Sequence, residues 1–144
     1  MRARWLIPLL LLAALPAHAL DFRSVNNVAA IVYDSPSNHA QPMWVLSRRY
    51  PVEVIEKQED WLKVRDDNGM LGWVAKNQLG KVRTLIVRQA TDAHTQANTQ
   101  SPTCAHIAAG VALIWLDNTD GTWAKVKLPD HTVAYILLDH QWGA

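Results

Sequence analysis

Apolar and polar positions alternate with a period of two through most of this chain. Trp61-Leu62-Lys63-Val64-Arg65 alternates cleanly, which puts Trp61, Lys63 and Arg65 on one face of an extended strand and Leu62 and Val64 on the other. Val52-Glu53-Val54-Ile55-Glu56 comes close to the same pattern. Asp66-Asp67-Asn68-Gly69 follows, and its Asn-Gly pair suits the positive-φ positions of a tight hairpin, so Leu71 to Ala75 reads as the returning strand. No window keeps a helical period, and β-branched residues dominate the apolar positions. Short strands separated by turns every 8 to 12 residues or so predict an all-β architecture of small barrels.

The first residues break this pattern. Arg2 and Arg4 precede an apolar run from Trp5 to Leu15, Pro16 ends it, and Ala17-His18-Ala19 places small residues one and three positions before Leu20. That is the layout of a secretory signal peptide cleaved after Ala19. The run is 11 residues long, whereas a membrane-spanning helix needs about 20. No later stretch approaches that length, and no Cys follows the run to carry a lipid. The expected organisation is therefore a signal peptide at 1–19, a first barrel at 20–82 and a second barrel at 83–144, with no membrane span.

Two barrels are expected because the chain repeats itself. Trp61-Leu62-Lys63-Val64-Arg65 and Trp123-Ala124-Lys125-Val126-Lys127 share one pattern, and twelve residues after each Trp comes an aromatic beside an apolar residue, Trp73-Val74 and Tyr135-Ile136. Upstream, Pro42–Val54 lines up with Pro102–Ile114 at an offset of 60 residues, and Ile31-Val32 with Ile86-Val87. On this alignment the second copy has a longer early loop, Gln89 to Pro102. Leu128-Pro129-Asp130-His131 replaces the Asn-Gly turn.

Tyr50-Pro51-Val52-Glu53-Val54-Ile55, Asp60-Trp61-Leu62-Lys63-Val64-Arg65, Asn68-Gly69 and Gly72-Trp73-Val74 together resemble the bacterial SH3-like domain family. The likeness covers about Ala29 to Leu79; the second copy is looser, with Ala134-Tyr135 where Gly-Trp is usual. The resemblance implies two tandem SH3-like barrels, an extracytoplasmic location and binding to cell-wall or peptide ligands. Eukaryotic SH3 domains are similar in layout and grip proline-rich helices between aromatic side chains. Here Trp61 and Asn77 match two groove positions, but Ala75 and Gln78 replace the Pro and the Tyr, which argues against polyproline recognition.

Charge narrows the partner. The chain has 14 Lys+Arg against 13 Asp+Glu; two of the Arg lie in the leader, leaving 12 against 13, a formal net charge of −1. Nucleic-acid binding calls for a basic face, so no nucleic-acid partner is expected. The lone Cys104 is read as a small packed residue rather than a nucleophile paired with His106, and His94, His106, His131 and His140 as scattered surface histidines, so no catalytic residue, metal or cofactor is expected. Trp73 and Tyr135 are read as filling the barrel cores, Trp115 and Trp142 as candidates to seal the inter-barrel contact, and Arg48-Arg49 as a solvated turn. Candidate ligand contacts are Trp61, with Tyr33, Asp34 and Trp44 completing a groove and Asn77 adding a polar group. The function expected is a non-enzymatic periplasmic or secreted module that binds peptidoglycan or its stem peptides. The alternative is a structural subunit docked on an envelope protein.

Overall fold

The computed structural model describes residues 20–144; the expected signal peptide, residues 1–19, lies outside the described residues. The first sheet comprises β1 (Asp21–Val25), β2 (Ala29–Tyr33), β3 (Pro42–Ser47), β4 (Pro51–Gln58), β5 (Trp61–Arg65), β6 (Leu71–Ala75) and β7 (Leu79–Gly80), with a 3-10 turn over Lys76–Gln78. The second comprises β8 (Thr84–Val87), β9 (Thr91–His94), β10 (Thr103–Ile107), β11 (Ala112–Thr119), β12 (Trp123–Lys127), β13 (Val133–Leu137) and β14 (Gln141–Trp142), with a 3-10 turn over Leu138–His140. Hydrogen-bonded order runs β3-β2-β6-β5-β4-β1-β7 and β10-β9-β13-β12-β11-β8-β14, the same arrangement twice. The protein is all-β, two tandem SH3-like barrels. Among the described residues no helix is long and apolar enough to cross a membrane.

Period-two alternation sorts the side chains as the pattern predicts. Leu62 and Val64 of β5 join Val32, Val52 and Val74 in the first core, while Trp61, Lys63 and Arg65 face outward. Leu85, Leu113, Val126 and Ile136 form the corresponding centre of the second. The hairpin turn after β5 is held by Asp66, whose carboxylate accepts from the backbone N–H of Asn68 and of Met70, both at 2.9 Å, while Gly69 takes φ +80°.

The repeat is more regular than the sequence alignment suggests. Tyr33 pairs with Trp73 and Pro42, and His94 pairs with Tyr135 and Thr103. Pro42 therefore corresponds to Thr103, not Pro102, and Ile31-Val32 to Asp92-Ala93, not Ile86-Val87. The early loop is not longer in the second copy: Asp34 N–H donates to Gln41 O, and Thr95 N–H to Pro102 O across the same separation. A shift of one residue exchanges the two faces of a strand, so matching letters alone misassigned this stretch.

Two aromatic expectations also change. Gly72 and Val74 face the core, so Trp73 between them is buried on the outer side, with the Lys63 ammonium 6.0 Å from its ring centre. Tyr135 is half-buried and likewise outside the core cluster.

A barrel of about 60 residues has a small core and is marginal alone, and here the two share a seam. Phe22 of β1 meets Trp142 of β14 edge to face, centroids 5.2 Å apart. The Arg83 guanidinium lies over both Phe22 (5.1 Å) and Trp115 (4.8 Å), and its Nη2 donates to Gly143 O at 2.8 Å. Thr84 Oγ1 donates to Arg49 O at 2.6 Å, and Ser24 Oγ to Val82 O at 2.7 Å. Trp115 and Trp142 thus both sit in the seam.

Candidate functional site

Trp61 opens β5 directly after the two-residue turn Glu59-Asp60, so its indole stands at the barrel rim instead of mid-sheet. Tyr33, at the end of β2, meets it edge to face, with centroids 5.6 Å apart and planes at 88°. That geometry suits the electrostatics of two aromatic rings and fixes the indole, leaving it half-buried with part of its surface open. Beside it runs a groove of about 500 Å3 lined by Asp60, Trp61, Ala75, Lys76 and Asn77. Lys76 N–H donates to Asp60 O at 2.8 Å, which pins the 3-10 turn against the turn before β5 and sets the groove's width.

Of the five residues singled out from sequence, Trp61 and Asn77 line this groove and Tyr33 supports it from behind. Asn77 is itself held, its carbonyl accepting from Asn26 Nδ2 at 3.3 Å. Asp34 and Trp44 are elsewhere. The Asp34 carboxylate accepts from Gln41 N–H at 3.1 Å and Ser35 Oγ at 3.2 Å, closing the loop between β2 and β3. Trp44 lies on the inward face of β3 and packs against the first core. Asp60 and Lys76, a carboxylate and an ammonium at the groove, were missed; their signal was their position immediately beside Trp61 and Asn77. Gln78, where a eukaryotic domain has its Tyr, accepts from Ile31 N–H at 3.4 Å and bridges the 3-10 turn to β2.

The second barrel repeats the aromatic pair but not the opening. His94 meets Trp123 edge to face at 5.5 Å and 86°, yet Trp123 is buried. Leu137 and Leu138 stand at the places of Ala75 and Lys76, and the corresponding space shrinks to about 180 Å3. A different cavity of about 550 Å3 opens between β9, β10 and the last 3-10 turn, lined in part by Thr91, Asp92, His94, His106 and His140. Histidines read from sequence as scattered are therefore gathered. His106 Nδ1 pairs with Asp92 Oδ1 at 2.5 Å, and His140 Nδ1 lies 3.3 Å from Thr91 Oγ1. Among the described residues no group of three or more His, Cys, Asp or Glu is placed to hold a metal ion. Cys104 is exposed, not packed, and its thiol donates to Ala93 O at 3.4 Å, apart from His106, whose Nδ1 is engaged by Asp92.

With this geometry fixed, the two barrels are similar to two different domain families. Residues 26–81 match the bacterial SH3 domain. Residues 89–139, expected to be a diverged second copy of that domain, match instead the GW (Gly-Tryp) dipeptide domain. The dipeptide itself stands in the first barrel, Gly72-Trp73, and is Ala134-Tyr135 in the second. No curated protein matches the chain. Similar solved structures include NlpC2 from Trichomonas vaginalis (12% identity, 88% of this chain and 49% of that one, TM-score 0.41). NlpC1 from the same organism is 15% identical over 94% of this chain and 50% of its own, TM-score 0.40. An NlpC/P60 family protein from Bacillus cereus is 13% identical over 85% and 56%, TM-score 0.38. The chain spans about half the length of these proteins.

Proposed function

We propose that this protein is an exported, non-enzymatic binding module of the bacterial envelope that recognises peptidoglycan or its stem peptides through the groove beside Trp61. The observation that carries the reading is the groove itself: an indole held by Tyr33 and left half-open, a carboxylate from Asp60, an ammonium from Lys76 and an amide from Asn77, all within one shallow opening. Stacking on an exposed ring with polar groups at its edge suits a sugar ring or a peptide backbone. The match of residues 26–81 to the bacterial SH3 domain supports the envelope setting, and the apolar leader supports export to the periplasm or beyond. The test is co-sedimentation of the purified protein with isolated peptidoglycan, beside a Trp61→Ala variant. Retention of the native protein and loss of the variant is the expected result; equal behaviour of the two removes the groove from the mechanism.

A second reading, a structural subunit docked on an envelope protein, draws on one feature. Ile31 and Val45 face each other across β2 and β3 with 37% and 63% of their surfaces exposed. The second barrel has Asp92 and His106, joined by a hydrogen bond, at the same positions. An envelope pull-down that retains a partner through Ile31 and Val45, with no sedimentation on peptidoglycan, favours that reading.

A further inference from the structure

A backbone outlier leads to a second site. Arg49 takes φ +67°, a left-handed conformation in which a side chain is strained and glycine is at ease. The second barrel makes the same turn with glycine. Arg49 N–H donates to Val25 O, Gly110 N–H donates to Val87 O, and Gly110 takes φ +88°. The turn therefore needs no arginine. The first barrel keeps one in a conformation that disfavours it, and strain of this kind points toward a use for the side chain.

Arg49 lines a cavity of about 190 Å3 at the barrel junction, together with Arg48, Ser24, Asn26, Gly80 and the apolar Val82 and Ile114, while Val25 borders it with its side chain turned into the first core. Val25 comes from the first barrel, Ile114 from the second and Val82 from the segment between them. Among the described residues neither Arg48 nor Arg49 forms a salt bridge, whereas Arg23 and Arg65 do, with Asp21 and Glu53. The Arg49 carbonyl is fixed across the seam by Thr84 Oγ1 at 2.6 Å, so the strained residue is held in place. Two arginines without a salt bridge, lining a chamber that Val82 and Ile114 make partly apolar, suit a carboxylate that carries an apolar group next to it.

We propose that the junction cavity binds the free C-terminal carboxylate of a peptide ending in an apolar residue. The guanidinium groups of Arg48 and Arg49 take the carboxylate, and the terminal apolar side chain meets Val82 and Ile114. It lies apart from the Trp61 groove, shares no lining residue with it and does not depend on the function proposed above.

The test is an NMR titration of the protein with N-acetyl-Ala-Ala, with its C-terminal amide and with inorganic phosphate. The acid is expected to shift the amides of Val25, Arg49, Val82 and Ile114, and the amide and phosphate to bind about tenfold or more weakly. Arg49→Gly supplies the residue that Gly110 shows to suit the turn, so it should melt at the same or a higher temperature while losing about tenfold or more in affinity. Arg48→Ala, an exposed position without backbone strain, should weaken binding in the same direction, and Trp61→Ala should leave it unchanged. Equal binding of the acid and either control, or unchanged affinity in both arginine variants, overturns the proposal.

Discussion

The backbone of Gly72 runs against the side chain of Val32: a β-carbon built on Gly72 would come within 2.2 Å of Val32 Cγ1. The second barrel resolves the same contact the other way, with Ala134 at the place of Gly72 and Ala93 at the place of Val32, both fully buried. The first barrel thus places three side-chain carbons in this contact, all on Val32, and the second places two, one on each partner, so the close approach is relieved differently in each. Gly72→Ala is expected to cost about 1–3 kcal/mol in urea denaturation. Val32→Ala should cost less in the Gly72→Ala background than alone. Additive effects of the two substitutions would show that the contact is relieved elsewhere.

Arg83 ties the barrels together through two aromatic faces and the Gly143 carbonyl. Arg83→Ala should cost about 2 kcal/mol and split one calorimetric transition into two. Lysine should not restore the single transition, because an ammonium cannot lie flat on two rings while donating sideways.

Burial raises the Tyr50 hydroxyl well above the usual tyrosine range, helped by its hydrogen bond to Asp67 and by the charge of Asp66. A raised pKa in the folded state favours the neutral phenol. Its contribution to stability is therefore fully present below pH ~10, the unfolded value, and is lost as pH rises toward the folded one. Denaturation midpoints should accordingly fall above about pH 10. Tyr50→Phe should flatten that fall and cost about 1 kcal/mol at neutral pH. An alkaline slope identical in the variant would assign the titration to another group.

Groove closure in the second barrel suggests a test in the first. Ala75 occupies the position that Leu137 fills beside Trp123. Ala75→Leu should narrow the opening beside Trp61 and abolish ligand retention, while stability changes by no more than about 0.5 kcal/mol because the site is at the rim. Retention of ligand by Ala75→Leu would place recognition away from the groove.

Period-two alternation, the Asn68-Gly69 turn and the recurrence of Trp61 at Trp123 determined that the described residues, 20–144, are built of β-strands, that the unit is built twice, and which face of β5 is buried. These are local signals, carried by the pleat of a single strand and by the backbone freedom of single residues. Trp61 was placed at a strand start by spacing alone. What the sequence could not decide is which segments meet across the sheet. Trp44 and Trp73 are indistinguishable as letters, yet one faces inward on β3 and the other outward on β6. The register that equates Pro42 with Thr103, the gathering of His94, His106 and His140, and the stacking of Arg83 between Phe22 and Trp115 all join residues far apart in the chain. Cross-strand pairing and packing volume settle such contacts, and both exist only once the barrels have closed.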